Sequence, residues 1–338
     1  MQRILVTGGS GFIATHVIDV LVKGGYSVLT TVRSESKGQR LQAAYSADKL
    51  DFAIVPDISV VGAFDQVCKT GGFDAVLHVA SPFHYNVRDP KKDLIDPAVV
   101  GTTGILRSIK DHCPNVKRVV VTSSFAAILD FALVQAGVVK TWSEKDWNPM
   151  GIDDAQASPM IAYAVSKVLA EKAAWDFVEK EKPGFTLTTI TPPLVYGPAT
   201  QGLSSLSSVN TSNQVMADLV SGKYKDGMPP TGIPLWVDVR DVALAHVRSL
   251  ERPAAVGKRF FTVAGHHSHR DLLRIVRDNF PELREKLPES GGEPSKDLPS
   301  WGYDNSSASE VLGIKWTTFE KSTVDTVKSL LEISGEKE

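Results

Sequence analysis

The sequence predicts an α/β fold: a doubly wound parallel sheet with helices on both faces and a smaller C-terminal lobe. Three observations lead there. Short β-branched apolar runs alternate with longer helical patterns over the first two-thirds of the chain. The first run passes through a glycine-rich turn straight into a helical pattern. After Pro192 the alternation gives way to a stretch rich in glycine, serine and proline. Strand–helix–strand alternation needs crossovers, and these cover both faces of a parallel sheet. Such crossovers are right-handed.

The strand-like runs are Ile4–Thr7, Ser27–Val32, Phe52–Val55, Ala75–Val79, Val119–Thr122 and Thr186–Thr191. Helical patterns lie between them near 12–23, 36–47, 60–70, 91–112 and 158–181. Residues 197–233 read as a loop-rich insertion with one helix near 211–221. Leu235–Val237 reads as a strand, and Asp238–Glu251 as a helix with Val239, Val242, Ala243 and Val247 on one face. Arg259–Val263 is a strand candidate, Ser268–Asn279 a helix, and Phe319–Ile333 a closing helix. The expected division is a nucleotide domain of residues 1–192 plus about 234–258. A substrate-binding lobe of about 193–233 and 259–338 closes over it.

The chain has 338 residues, 42% of them hydrophobic, enough for a large buried core. Its formal net charge of −2 offers no basic excess for nucleic acid. No apolar stretch is long enough to cross a bilayer, and no signal-peptide pattern opens the sequence, so the expectation is a cytoplasmic protein without a membrane partner. Sequons at Asn210 and Asn305 carry no meaning in that setting. Cys68 and Cys113 have neither metal-type nor disulfide-framework spacing and read as free thiols. His266, His267 and His269 could imitate a metal site, but without a cysteine or acidic partner they read as a surface turn. No metal is expected. His78 reads as structural.

The nucleotide signal is Ile4-Leu5-Val6-Thr7 running into Gly8-Gly9-Ser10-Gly11-Phe12-Ile13-Ala14. Glycines at Gly8 and Gly11 allow a sharp strand-to-helix turn and close backbone approach to a pyrophosphate. The helix N-terminus at Phe12 and Ile13 then presents free N–H groups and a positive dipole end to the phosphates. This is the Rossmann-type arrangement. At the end of the second run, Arg33 offers a fork of donors for a 2′-phosphate and Lys37 a point charge, which favours NADP. The competing candidate is Glu35, which would hold a 2′-hydroxyl and favour NAD.

The catalytic signal is Tyr163-Ala164-Val165-Ser166-Lys167. Residues four apart share a helix face, so the phenol and the ammonium can enter one site. A free tyrosine has a pKa near ~10, and a neighbouring cation lowers it. Tyr163 could thus supply the proton for reduction of a carbonyl, and Lys167 could also hold the nicotinamide ribose. Val119–Thr122 leads into Ser123 and Ser124, where open α/β sheets place their chemistry. Ser124 is the preferred group to polarise the substrate oxygen, with Ser123 its neighbour. Neither lies in a Gly-x-Ser-x-Gly elbow, which argues against a serine nucleophile.

With these residues the chain resembles the extended short-chain dehydrogenase/reductase family. Within it, the chain is similar to the dihydroflavonol-reductase-like branch and its fungal NADPH-dependent aldehyde and ketone reductases of the methylglyoxal-reductase type. The resemblance spans nearly the whole chain. It rests on Val6–Ala14, Val32-Arg33, His78-Val79-Ala80-Ser81-Pro82-Phe83, Val121–Ser124, Tyr163–Lys167, Pro192–Pro198 and Trp236–Ala243. It implies that Ser124, Tyr163 and Lys167 form the catalytic triad and that Arg33 and Lys37 read the NADP phosphate. It further implies that Asp57 and Ile58 lie beside the adenine, that Val79, Ala80 and Ser81 line the cofactor, and that Pro193 and Val195 run along the nicotinamide. Phe83, Phe125 and Tyr196 are candidates for the substrate wall, with core packing the alternative for each. Two departures stand out: Thr191 and Gly104 occupy positions where many relatives carry asparagine.

The expected function is an NADPH-dependent carbonyl reductase giving alcohols from aldehydes or ketones, acting on a small molecule as a monomer or homodimer. The rivals are the same fold on a dihydroflavonol, cinnamoyl-CoA, hydroxysteroid or sugar nucleotide, and a non-catalytic NADP sensor.

Overall fold

A computed structural model of the chain describes residues 2–81, 87–199, 203, 205–289, 291 and 301–335. Seven parallel strands form the main sheet: β1 (Arg3–Thr7), β2 (Ser27–Val32), β3 (Leu50–Ile54), β4 (Ala75–His78), β5 (Arg118–Thr122), β7 (Thr186–Thr191) and β10 (Arg259–Phe261). Their order is β10-β7-β5-β4-β1-β2-β3. The direction of winding reverses between β1 and β4, which opens a crevice at the carboxyl ends of those strands.

Helices fill both faces. In α1 (Phe12–Lys23), Ala14, Val17, Ile18 and Leu21 are buried, an i, i+3, i+4, i+7 stripe that seats the helix on the sheet. Each such large aliphatic side chain contributes about 1.5–3 kcal/mol by leaving water. A charge at Leu21 would undo that face. The helix α2 (Glu35–Gln42) and the short α3 (Asp65–Lys69) are both shorter than their sequence patterns. Gly62, at φ +77°, ends the turn ahead of α3. The pattern at 91–112 divides into a π-type turn over Lys91–Ile95 and α4 (Asp96–His112). Pro97, which has no N–H to give, sits at that junction. The long α6 (Pro159–Glu181) packs on α4. Ser158 caps it, its Oγ accepting from the Ile161 N–H at 3.2 Å, and Pro159 opens it.

Between β5 and α6 lie the short α5 (Phe131–Gln135) and β6 (Thr141–Trp142). In the lobe, β8 (Leu194–Tyr196), β9 (Leu235–Asp238) and β11 (Gly265–His266) make a three-stranded sheet. It packs with α7 (Gln214–Val220), α9 (His269–Asn279) and α11 (Phe319–Ser334) around Tyr196, Met216, Trp236, Leu272 and Leu330. The helix α8 (Val239–Glu251) lies against α1, and β12 (Gly302–Tyr303) pairs with β6.

The expected division of the chain needs correction in three places. Arg259–Phe261, expected in the lobe, is the edge strand of the main sheet, paired with Thr189–Thr191. The strand β9, expected with the nucleotide domain, belongs to the lobe's sheet. Finally, Ala308, Leu312 and Ile314, around α10 (Ser306–Leu312), join the core of the nucleotide domain. The cause is the same each time: a short apolar run carries no label saying which sheet buries it. The histidine turn is a further correction. His267 and His269 are buried, and each ring bonds a backbone carbonyl, Ile233 O and Pro229 O. Burial holds His267 down at a pKa of about 3, so it stays neutral.

Candidate active site

A cleft of about 630 Å³ opens at the carboxyl ends of β1, β2, β4 and β5. One end is built by backbone. Gly8 has φ +75°, and a Cβ there would stand 2.9 Å from the Ala80 Cα; at Gly9 a Cβ would meet the Thr30 Oγ1 at 2.2 Å. The turn therefore lies directly against the neighbouring strand ends. Gly8, Gly11, Phe12 and Ile13 line the cleft, with the N-terminus of α1 facing it. One hydroxyl ties the turn to β4. Thr7 Oγ1 accepts from the N–H groups of Val79 and Ala80, each at 3.1 Å, and so gives its own proton to His78 Nδ1 at 2.8 Å. Burial, with the Lys167 charge adding to it, lowers the His78 pKa to about 3, so its ring is a neutral structural group.

Arg33, just past β2, and Lys37, one turn into α2, both line the far end and are exposed. Glu35, the competing candidate, is absent from the lining and accepts from Gln39 Nε2 at 3.0 Å along its own helix. Ile58 lines the cleft. Asp57 does not, and its carboxylate instead accepts from the Ser59 N–H and Oγ at 2.8 and 2.6 Å. This end suits NADP: a turn with glycine at Gly8, Gly9 and Gly11, a helix N-terminus and two cations where a 2′-phosphate would lie.

The other end gathers a serine, a tyrosine and a lysine. Ser124, Tyr163 and Lys167 all line it, together with Val79, Ala80, Ser81, Pro193 and Val195. Strand alternation separates the two serines. Ser123 borders the cleft, but its Oγ is turned to the core and donates to Glu171 Oε2 at 2.6 Å. Ser124 faces the cleft, and its Oγ accepts from the Ala126 N–H at 3.1 Å, which leaves its proton for another acceptor. On α6, Lys167 Nζ lies 5.4 Å from the Tyr163 ring centroid and donates to Ser81 Oγ at 2.5 Å. Burial lowers the Lys167 pKa to about 8, since the ammonium is held away from water.

Of the three wall candidates, Phe125 lines the cleft and stacks on Phe261 with centroids 4.9 Å apart. Tyr196 is fully buried in the lobe against Trp236, His267 and Phe319, away from the cleft lining. Phe83 lies outside the described residues. Sequence reasoning missed Leu129, Phe131, Met160 and Ile233, which also line the cleft and add apolar surface beside Phe125. They come from separate loops and helix starts with no motif, so nothing local marks them. It also missed the pairing of Thr122 Oγ1 with His246 Nε2 at 2.7 Å, which ties β5 to α8. Of the two departures, Thr191 bonds Phe260 O at 2.9 Å, and a Cβ at Gly104 would meet nothing within 4 Å.

Residues 4–264 match the model of the NAD dependent epimerase/dehydratase family, and the chain belongs to that family. A ketoreductase of Aspergillus niger is 43% identical, covering 98% of both chains. An NADPH-dependent methylglyoxal reductase of Saccharomyces cerevisiae is 35% identical over 99% of both. The crystal structure of yeast methylglyoxal/isovaleraldehyde reductase complexed with NADPH superposes with a TM-score of 0.90 at 33% identity, covering 99% of this chain and 100% of that one. The resemblance to extended short-chain reductases read from the motifs is thereby borne out.

Proposed function

We propose that the chain is an NADPH-dependent carbonyl reductase that converts aldehydes or ketones to alcohols, with Tyr163 as the proton donor. The observation that carries this reading is a single cleft lined by Ser124, Tyr163 and Lys167 at one end and by Arg33 and Lys37 at the other. Relatives named as ketoreductase and methylglyoxal reductase support it over the full length of the chain.

When bound, NADPH supplies the hydride that adds to the carbonyl carbon. Ser124 donates its hydroxyl proton as a hydrogen bond to the carbonyl oxygen, because the Ala126 N–H already occupies a lone pair of Oγ. Tyr163 delivers its proton to the same oxygen. The Lys167 ammonium offsets the charge left on the phenol and holds the ribose. Gly8, Gly11, Phe12 and Ile13 receive the pyrophosphate, Arg33 and Lys37 the 2′-phosphate, and Ile58 the adenine, with Asp57 at the rim. Val79, Ala80, Ser81, Pro193 and Val195 flank the nicotinamide half. Phe125, Leu129, Phe131, Met160 and Ile233 form an apolar wall, so the substrate side selects uncharged carbonyls with hydrophobic substituents. The same reading puts the chain in the cytoplasm, as a monomer or homodimer; two free cysteines support a reducing compartment.

The test is NADPH oxidation by purified protein with aliphatic and aromatic aldehydes, α-diketones, keto esters and a dihydroflavonol, with NADH in parallel. Turnover on several carbonyls with preference for NADPH is expected. NADPH binding without turnover on any of them would overturn the reading.

A further inference from the structure

Glu171 continues the catalytic face of α6, eight residues beyond Tyr163 and four beyond Lys167. It is buried and forms a two-pronged ion pair with the equally buried Arg259 of β10. Arg259 Nε donates to Glu171 Oε1 at 2.8 Å and Nη2 to Oε2 at 3.0 Å. The carboxylate also accepts from Ser123 Oγ at 2.6 Å and Thr189 Oγ1 at 2.7 Å. The guanidinium reaches further, with Nη2 to Ala127 O at 3.2 Å and Nη1 to Glu144 O at 3.0 Å and to Asp146 O. Its plane lies over the Trp147 ring, 3.8 Å from the centroid. Asn148 completes the grip, its N–H and Nδ2 donating to Ala127 O and Ala126 O.

These bonds converge on the Ser124–Ala127 turn from two sides. Glu171 holds Ser123, directly before Ser124, while Arg259 and Asn148 hold the carbonyls just after it. The same carboxylate is carried by the helix of Tyr163 and Lys167. A lone buried salt bridge is weak evidence for a stabilising role, because desolvation offsets much of its attraction. This pair does something more specific: it makes the separation between the Ser124 turn and the α6 face a fixed length. We propose that Glu171 and Arg259 are positioning residues of the carbonyl-reducing site, setting Ser124 against Tyr163 without touching the substrate.

The proposal rests on the reductase reading, and the experiment separates the two. In Glu171→Gln with Arg259→Met, no uncompensated buried charge remains, so the fold survives, but the fork to Ala127, Glu144 and Asp146 is gone. We expect kcat on a ketone to fall about 10–100-fold, the loss that small misplacement of reacting groups produces. NADPH affinity, read by fluorescence titration, should stay within about twofold, because the phosphate and adenine contacts lie elsewhere. The deuterium isotope effect on kcat with 4-deuterated NADPH should rise as the chemical step becomes slower. Ser123→Ala removes one bond and leaves the ion pair; its loss should be smaller, about threefold to tenfold.

A second readout distinguishes positioning from mere support. Lys167 lies over the Tyr163 ring, bonds Ser81 and sits near neutral His78 of β4, and it lines a small cavity with Thr102, Thr122, Ser123 and Glu171. Arg259→Met alone leaves Glu171 unpaired beside that lysine, and Glu171→Gln alone leaves the arginine unpaired. The alkaline limb of the pH–rate profile should move up in the first and down in the second. A double variant that binds NADPH normally and keeps kcat within twofold would overturn the proposal. So would a loss of rate matched by an equal loss of NADPH-binding sites. If the unaltered chain reduces no carbonyl, the reductase reading fails first and this one with it.

Discussion

The two ends of the cleft are made differently. The end at the glycine turn is mostly a surface of backbone: the turn itself, a helix N-terminus and strand ends tied by the hydroxyls of Thr7, Thr30 and Thr31. The end at Ser124 and Tyr163 is a surface of side chains gathered from separated segments, with Phe125, Leu129, Phe131, Met160 and Ile233 in its lining. Backbone geometry fixes where a common group such as a pyrophosphate lies, and side-chain volume decides which variable group fits beside it. One end is therefore rigid, the other adjustable.

Perturbing each end in turn sharpens that contrast. The largest effect belongs to the phenol on α6. Tyr163→Phe should lower kcat by about 10²–10⁴-fold while NADPH affinity hardly changes; single-turnover kinetics with a titration of cofactor binding checks both halves. Arg33→Ala with Lys37→Ala should raise KM for NADPH by about 10–100-fold, the scale of two lost charge-assisted bonds, and leave NADH almost untouched. Equal losses for both cofactors would show that the two cations do not read the 2′-phosphate. For Lys167 the sign follows from burial. With a pKa lowered to about 8, the ammonium is present below that pH and disappears above it. Reduction should therefore decline as pH rises through about 8, and Lys167→Arg should shift that decline upward because a guanidinium stays charged. Met160→Ala, at the substrate mouth, should change kcat/KM for bulky relative to small ketones by about fivefold, within the range that a few buried methylenes provide, and leave NADPH kinetics alone.

How much of this was legible in the sequence follows the same division. The glycine turn, Arg33 and the Tyr163/Lys167 spacing were readable because each depends on local chain geometry: a strand-to-helix turn, a strand end, one helix face. The helix after the turn was readable from its apolar residues, although α1 buries Ala14, Val17, Ile18 and Leu21 and leaves Val20 half-buried. Placement of Arg259–Phe261 in the main sheet was not readable, since pairing with β7 depends on contacts far apart in sequence. Tyr196 is a wall candidate by its place in the motif, with core packing the alternative, and the alternation of β8 decides for the core. His267 and His269 looked like a polar surface turn, and only the tertiary fold supplies the carbonyls that let them be buried. The apolar wall left no motif at all, because any large aliphatic side chain would serve.

The threonine that ends β1 has a consequence for how this protein could change. Its hydroxyl is fully used: two backbone N–H groups enter it and a neutral imidazole takes its proton. It fastens the phosphate turn to the Ala80–Ser81 segment, whose hydroxyl in turn meets Lys167. Moving the turn to suit a different nucleotide would drag the lysine's anchor with it. On the proposed reading, retuning the dinucleotide would fall to the solvent-facing tips at Arg33 and Lys37, which can be exchanged like the teeth of a key while the lock's frame stays bolted from behind.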